Sequence, residues 1–398
     1  MATLKQLIDQ LCPDGVEYVR LGDVFGLRNG YTPSRQRADF WQSGTVPWFR
    51  MDDIRQNGRV LDSSIERVTE SAIKGGRLFP ANSVILATSA TIGEHALVTT
   101  EFMCNQRFTV LQPKEDYVSE LNPKFVFYVG YVLGEYCREN VNEGNFKSVS
   151  MPSLRDFRFP LPPREVQDKI VEYLDAFAAL CENLDTEIEQ REQQFAEYRE
   201  KLLSADYLAK RYAPDGVDYV RLGDVAVNFD RLRKPVSAKD RKPGHFPYYG
   251  ANGVQDWVDD FILEGEFVLV GEDGSVMRKD GTPFVHWATG KIWVNNHAHI
   301  LACKDESLSL RFLYHAINIA KVSDFVTGGT QPKINQKNLN QISIPLPPRE
   351  AQDELVAKLD VMQALIDNLR LERAQRQQQF DFYREKLLTF APKEASEV

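Results

Sequence analysis

The strongest constraint on this chain is that it repeats itself in cyclic order. Pro13-Asp-Gly-Val-Glu-Tyr-Val-Arg-Leu-Gly-Asp-Val24 recurs as Pro214-Asp-Gly-Val-Asp-Tyr-Val-Arg-Leu-Gly-Asp-Val225, with only Glu17 exchanged for Asp218. A second pair, Phe157 to Ser204 and Ile342 to Thr389, aligns without a gap. Both copies carry Pro-Leu-Pro-Pro-Arg-Glu, at Pro160 to Glu165 and Pro345 to Glu350, and both end in Tyr-Arg-Glu-Lys-Leu-Leu. Met1 to Cys12 aligns with Leu202 to Ala213, so the order of the repeat closes on itself. A duplicated sequence must fold into duplicated parts, and 398 residues are enough for two domains or more. Between the copies the chain has diverged. The blocks from Phe25 to Asp156 and from Ala226 to Gln341 share only echoes, Cys104 to Leu111 with Asn295 to Leu301 and Gly144 to Leu154 with Gly329 to Leu339.

After Pro-Leu-Pro-Pro, which cannot lie inside a helix, each copy runs about 40 residues without Gly or Pro. That predicts one long helix of roughly 60 Å at 1.5 Å per residue. Its apolar positions follow a heptad seam: Leu174, Phe177, Cys181, Leu184, Ile188, Arg191, Phe195, Tyr198 and Leu202. The second copy repeats it at Leu359, Met362, Ile366, Leu369, Arg373, Arg376, Phe380, Tyr383 and Leu387. Two matching seams in one chain most simply pair with each other, antiparallel, giving a pseudo-twofold arrangement; capping of each domain by its own helix and homodimerisation are the alternatives.

The variable blocks combine Gly and Pro with short β-branched runs such as Ser83 to Thr88 and Phe267 to Val270, with turns at Gly-Glu-Asp-Gly and Lys279-Asp-Gly281. Short strands are expected, with small helices near Pro123 to Arg138 and Leu308 to Ala320. Neither block holds a phosphate loop, a His-Glu-x-x-His, a Gly-x-Ser-x-Gly or the Asn/Asp-Pro-Pro-Tyr box of an amino-methyltransferase. His297 and His299 are expected to be structural and not metal ligands, and no metal site is expected. Five scattered cysteines without a CxxC pair read as reduced thiols. No apolar run reaches membrane length, and Met1 to Gln10 is too polar for a signal peptide, so a cytoplasmic protein without membrane contact is expected.

The blocks do carry basic and polar residues interleaved with aromatics, the residue types that contact phosphates and base edges. Candidates in the first are Arg28, Tyr31, Thr32, Ser34, Arg35, Arg37, Arg50 and Arg55, beside Trp41 and Trp48; in the second, Arg231, Arg233, Lys234 and Lys242, beside Lys239 and Arg241. The net charge of -9 argues against a chain that coats nucleic acid everywhere. Its distribution is uneven, however: Phe25 to Arg77 holds nine basic and six acidic residues and Ala226 to His245 six and two, while the excess of acid lies on the repeated segments.

On these residues the chain resembles the specificity (S) subunits of type I restriction-modification enzymes. The resemblance is carried by the cyclic repeat, the twin Pro-Leu-Pro-Pro-Arg-Glu-x-Gln-Asp helix entries and two divergent inserts that look like target recognition domains. Gly30-Tyr-Thr-Pro33, Val46-Pro-Trp48 and Asp52-Asp-Ile54 are similar to one recognition subclass; Arg233-Lys-Pro235, Pro247-Tyr-Tyr-Gly-Ala-Asn-Gly253 and Gly271-Glu-Asp-Gly274 are similar to another. The resemblance adds Tyr248, Tyr249 and Asn252 to the DNA-binding candidates. It also adds Lys333 in Gly328-Gly-Thr-Gln-Pro-Lys-Ile334, and Lys147 in the looser copy Glu143-Gly-Asn-Phe-Lys147.

It implies an α+β fold in which two target recognition domains of mixed α/β structure are separated by two long antiparallel coiled-coil helices. The implied divisions are 1–24 as the N-terminal part of the conserved region, 25–156 as recognition domain 1 and 157–212 as the central conserved region. Then follow 213–341 as recognition domain 2 and 342–398 as the C-terminal conserved region. It further implies a non-catalytic chain whose domains each read half of a bipartite, asymmetric site on double-stranded DNA. Its partners would be two modification subunits, which carry S-adenosylmethionine and methylate adenines, and restriction subunits; no cofactor is expected on this chain. Other readings are a specificity chain serving a modification-only or type II-like system, an enzyme with an unrecognised site between the blocks, and a purely structural adaptor.

Overall fold

The cyclic repeat resolves into two units, one formed by Met1–Asn183 with Arg373–Val398 and the other by Leu184–Glu372. The computed structural model describes residues 3–142 and 147–393. Recognition blocks 25–156 and 213–341 each fall inside one unit. The division between units crosses the long helices instead of following their ends.

In the first unit, a five-stranded sheet runs in the order Phe25–Asn29, Phe108–Pro113, Ser83–Ala87, His95–Val98 and Val60–Leu61. All its pairs are antiparallel except the last. Ser83–Ala87 is buried along its whole length, as its β-branched run requires of a central strand. A smaller sheet joins Glu66–Val68, Val46–Phe49 and Met103–Cys104. Helix α1, Pro123–Glu139, covers the larger sheet; Asn122 starts it by accepting from the backbone N–H groups of Lys124 and Phe125. The second unit holds a six-stranded sheet in the order Ala226–Asn228, Ala298–Cys303, Leu263–Gly271, Val285–Val294, Pro243–Gly250 and Gly253–Val258.

The repeated segments build the mounts. The Tyr-Val-Arg motif forms a strand, and in each unit it pairs antiparallel with the strand that feeds the long helix. Glu17–Arg20 pairs with Arg158–Leu161, and Tyr219–Arg221 with Ser343–Pro345. The two helices are α2, Arg164–Leu202, 39 residues long, and α4, Arg349–Leu388, 40 residues long, each uninterrupted. Between them in sequence lies α3, Leu310–Ile319, the second unit's counterpart of α1.

Residues at the start of the long helices explain why Arg-Glu-x-Gln-Asp was retained twice. In the first unit the fully buried Gln167 donates to the carbonyls of Glu120 and Pro162, 2.9 and 2.8 Å away, and accepts from the backbone N–H of Asn122 at 2.9 Å. Arg164 is braced by Asp168 and donates to the carbonyls of Ser119 and Leu121. In the second unit Gln352, equally buried, donates to Ser307 and Pro347 and accepts from the N–H of Ser309, at 2.8–2.9 Å. Arg349, braced by Asp353, donates to Glu306. Each glutamine thereby ties the loop that opens α1 or α3 to the foot of a long helix. These loops carry backbone groups that would otherwise be buried without partners.

The seam is visible in the burial. Leu174, Cys181, Leu184, Phe195 and Leu202 on α2 are buried, as are Leu359, Ile366 and Phe380 on α4, while Phe177, Met362 and Leu369 are partly covered. Tyr198 and Tyr383, equivalent in the repeat, remain more exposed. Within each unit the two segments run in opposite directions. In the first, Tyr18, in the strand beside the foot of α2, bonds the backbone of Phe390 past the end of α4, whereas Phe177 further along α2 stacks on Tyr383 at 5.3 Å. In the second, Arg211, past the end of α2, lies 4.0 Å from Glu354 near the start of α4, whereas Glu192 meets Arg370 at 2.6 Å. No helix among the described residues is long and apolar enough to cross a membrane.

Candidate nucleic-acid interface

The arginines that open the first block are exposed, or half-buried at Arg50, but already partnered. Gly30 brings the chain so close to Cys104 that a Cβ would sit 2.3 Å from that residue's carbonyl oxygen, and the following residues loop outward. Arg35 stacks on Trp41 with its guanidinium 3.6 Å from the ring centroid and pairs bidentately with Glu66 at 2.7 and 2.9 Å. Arg50 reaches the same Glu66 and Asp52, at 3.0 Å each, and Arg55 lies 3.7 Å from Asp52. Arg37 pairs bidentately with Asp39. The hydrogen bonds from Arg35, helped by the Arg50 charge, hold the Glu66 carboxyl below its usual range despite partial burial.

Other candidates in this block serve the loop itself. The Tyr31 hydroxyl is engaged by the Ala72 carbonyl and the Lys74 N–H, Thr32 meets Gln106 at 2.5 Å, and the Ser34 carbonyl accepts from the Trp41 indole. Arg28 lies over Phe79 and donates to Leu78. The sequence therefore located a cluster of arginines but not the acids, Asp39, Asp52 and Glu66, that fold in against them.

The second block divides its candidates differently. Arg231, Lys234, Lys242 and Asn252 are exposed. Tyr248 is not a surface residue: it is 1% exposed, its hydroxyl is bound to the backbone of Val236, and Arg241 covers its ring at 4.3 Å. Tyr249 is half-buried against the second sheet. Arg233 also turns inward, to the carboxylates of Glu272 and Asp230 and the carbonyl of Ala298. Both depart from the expectation of surface side chains: Tyr248 takes a buried position of its strand, and Arg233, in the loop before that strand, is drawn in by Glu272 and Asp230.

Beneath the exposed loops each unit holds a polar knot at equivalent positions. In the first, Thr88 and Thr109 share a hydroxyl hydrogen bond of 3.0 Å and Thr109 donates to Asn29 at 2.8 Å. In the second the corresponding residues are Glu272, His299 and Asp230. His299 donates through Nδ1 to Asp230 at 2.5 Å and through Nε2 to the Ile334 carbonyl at 2.8 Å. Both ring nitrogens are thereby engaged within the fold. Burial would push Asp230 and Glu272 upward, but it is outweighed, at Asp230 by His299, the Ile300 N–H and Arg233, and at Glu272 by Arg233, Lys333 and His299. Both carboxyls are held below the usual range. Asp230, Glu272 and His299 are close enough to resemble a metal site, but Arg233 and Lys333 already pair with the carboxylates, and both ring nitrogens of His299 are engaged in hydrogen bonds.

A short loop is anchored on each knot. The N–H of Val149 donates to Thr88, and Ser148 bridges to Ser89; in the second unit the N–H of Ile334 donates to Glu272, and Lys333 bridges to Asp273. Ser148 is therefore the counterpart of Lys333, as the alignment of Gly144 to Leu154 with Gly329 to Leu339 has it, and the looser motif copy that ended on Lys147 is off by one residue. Lys147 itself is exposed, and the rest of that copy, 143–146, lies outside the described residues. Lys333 reaches Glu272 at 3.0 Å.

Known proteins share this architecture. The profile of the type I restriction modification DNA specificity domain matches residues 13–191 and again 214–379. The chain is 34% identical to the type I restriction enzyme EcoprrI specificity subunit of Escherichia coli, over 93% of this chain and 92% of that one. It is 27% identical to the MjaIX specificity subunit of Methanocaldococcus jannaschii, over 85% and 84%. In fold it is similar to the S subunit of the type I restriction-modification system of M. genitalium, with a TM-score of 0.53 at 16% identity, covering 94% of this chain and 96% of that one. A chain solved in work on complex assembly and conformational transition of the type I system gives 0.56 at 20% identity, covering 95% and 97%.

Proposed function

The chain belongs to the type I restriction-modification DNA specificity family, and from that premise we propose that blocks 25–156 and 213–341 each read one half of a bipartite site on double-stranded DNA. The observation that carries this reading is the pairing of two unlike polar surfaces with two like mounts. The surfaces differ in charge, partners and loops, whereas necks, glutamine joints and seam recur at equivalent positions. The long helices act as a spacer, roughly 60 Å each against about 34 Å per DNA turn. The chain is itself non-catalytic and works in the cytoplasm.

Two modification subunits, which carry S-adenosylmethionine and methylate adenines, dock on the helices, and restriction subunits join them. What supports docking is a solvent-facing apolar stripe on α4, opposite the seam: Ala357, Val361, Ala364 and Leu365, with Val361 71% exposed. The repeat places Ala176, Ala179 and Leu180 at matching positions on α2. Val361→Glu in the assembled complex is expected to weaken retention of one modification subunit at least tenfold, read as the ratio of subunits by native mass spectrometry. Unchanged stoichiometry at limiting concentration would reject the stripe as the contact. With an overall charge of -9, the isolated chain binds DNA weakly, and the modification subunits supply much of the phosphate contact.

The reading is tested by mapping methylated adenines in the source genome with and without this gene, then after replacing 25–156 by the block of another member. The expected result is loss of a bipartite motif in the first case and a change in one half-site only in the second. Changes in both halves, or none, would sink it.

A further inference from the structure

The second unit presents one element for which the fold offers no internal use. Thr327 and Lys333 exchange backbone hydrogen bonds of 2.8 and 2.7 Å, closing a hairpin whose tip, Gly328-Gly-Thr-Gln-Pro, leaves Thr327 to Gln331 exposed without a break. Gly328 adopts φ +87°, and a Cβ there would lie 2.3 Å from the Gln331 carbonyl oxygen, so the tip is tightly closed. Its root is fixed to the charged knot by Lys333 on Glu272 and by the Ile334 N–H on the Glu272 carbonyl. A rigid base with a free tip is the construction expected of a reading element, because recognition needs groups held in place before the ligand arrives.

We infer that the side chain of Gln331, on the Thr327–Lys333 hairpin, reads a base edge in the half-site of the second block, with adenine preferred. This rests on the reading of that block as a DNA-recognition domain and adds which residue specifies. Several polar side chains of this face are occupied: Asn295 donates to Gln255, His297 pairs with Asp273, and Arg233 and Lys333 are held by Glu272. Thr330 beside Gln331 has a single hydroxyl and not the paired donor and acceptor of a carboxamide. No hydrogen bond within the described residues engages the Gln331 amide. A carboxamide offers one acceptor and a donor side by side, matching N6–H and N7 of adenine in the major groove. Phosphates are left to the exposed Arg231, Lys234 and Lys242.

The test uses the full chain co-expressed with its modification subunits in a host without other adenine methylation, with methylated sites mapped across the genome. Gln331→Ala is expected to relax one base pair in one half-site, discrimination there falling about tenfold to a hundredfold, with the other half-site unchanged. Gln331→Glu, which keeps the acceptor and loses the donor, is expected to shift preference at that position toward cytosine. An unchanged motif in both variants overturns the assignment, and so does an even loss of methylation at every site, which would place the tip on the phosphate backbone. Because the tip is exposed, the melting temperature should not move; a fall of several degrees would also count against it. If the unaltered complex yields no bipartite motif at all, it is the DNA-recognition reading that fails.

Discussion

Gln352→Leu is expected to destabilise the second unit by about 3–5 kcal/mol. Two buried backbone groups, the N–H of Ser309 and the carbonyl of Pro347, lose their partner at once, together with the more open carbonyl of Ser307. Leucine fills much of the volume but bonds none of them, and an orphaned buried group costs about 1–3 kcal/mol. The loss should be local first: amide exchange in Leu310–Ile319 accelerates, since the loop that starts this helix is what the glutamine holds. Gln167→Leu should do the same to Pro123–Glu139 in the first unit. Urea unfolding with exchange mass spectrometry reads both, and a cost under about 1 kcal/mol would show that the joint does not bear on stability.

Acid is expected to weaken the first unit well before the carboxylates titrate, through His95. This imidazole is 1% exposed, packs against Phe127 and Tyr131, and has its Nε2 without a partner. Burial, with the charge of Arg59 adding to it, drives its pKa down to about 3. The unfolded chain binds this proton near pH 6.5 and the folded chain does not. Stability is therefore fully present above about pH 6.5, falls as the pH drops toward 3, and levels off below that. The loss amounts to about 1–1.5 kcal/mol between pH 7 and 5.5, where Asp and Glu are still largely ionised. His95→Leu should flatten that limb for the first unit. If the variant's unfolding midpoint still falls with pH as steeply as the parent's, monitored by exchange in the His95–Val98 strand, another group is responsible. The second unit has its own acid-sensitive imidazoles, since burial also lowers His286 and His315.

The helices and their seam were legible because a heptad is a local pattern: Leu174, Leu184 and Phe195 can be read without knowing any partner. The helices at Pro123 and Leu310 and the strand at Ser83 were legible for the same reason. The polar knots were not, because Asn29, Thr88 and Thr109 are brought together by sheet register, which no spacing announces. The echo between Asn105 and Asn295 did align the strands that carry Thr109 and His299, and that was the available signal. Gln167 and Gln352 stood in plain view within the twice-kept Arg-Glu-x-Gln-Asp, but the backbone groups they hold lie some 45 residues away and no spacing announces them. The inward turn of Tyr248 and Arg233 was not legible, because neither a motif nor a residue type says which way a side chain points or which acids, here Glu272 and Asp230, will meet it.

The partnered arginines of the first block carry a thermodynamic consequence. Arg35, Arg37 and Arg50 each face a carboxylate that already neutralises them. A phosphate that takes such an arginine displaces Glu66 or Asp39 and leaves the protein with a freed acid nearby, so the net release of counterions is small. Arg231, Lys234 and Lys242 have no such partner among the described residues, and each phosphate they neutralise liberates about 0.9 of a condensed ion. Titrated with salt, the first half-site should hold on where the second lets go.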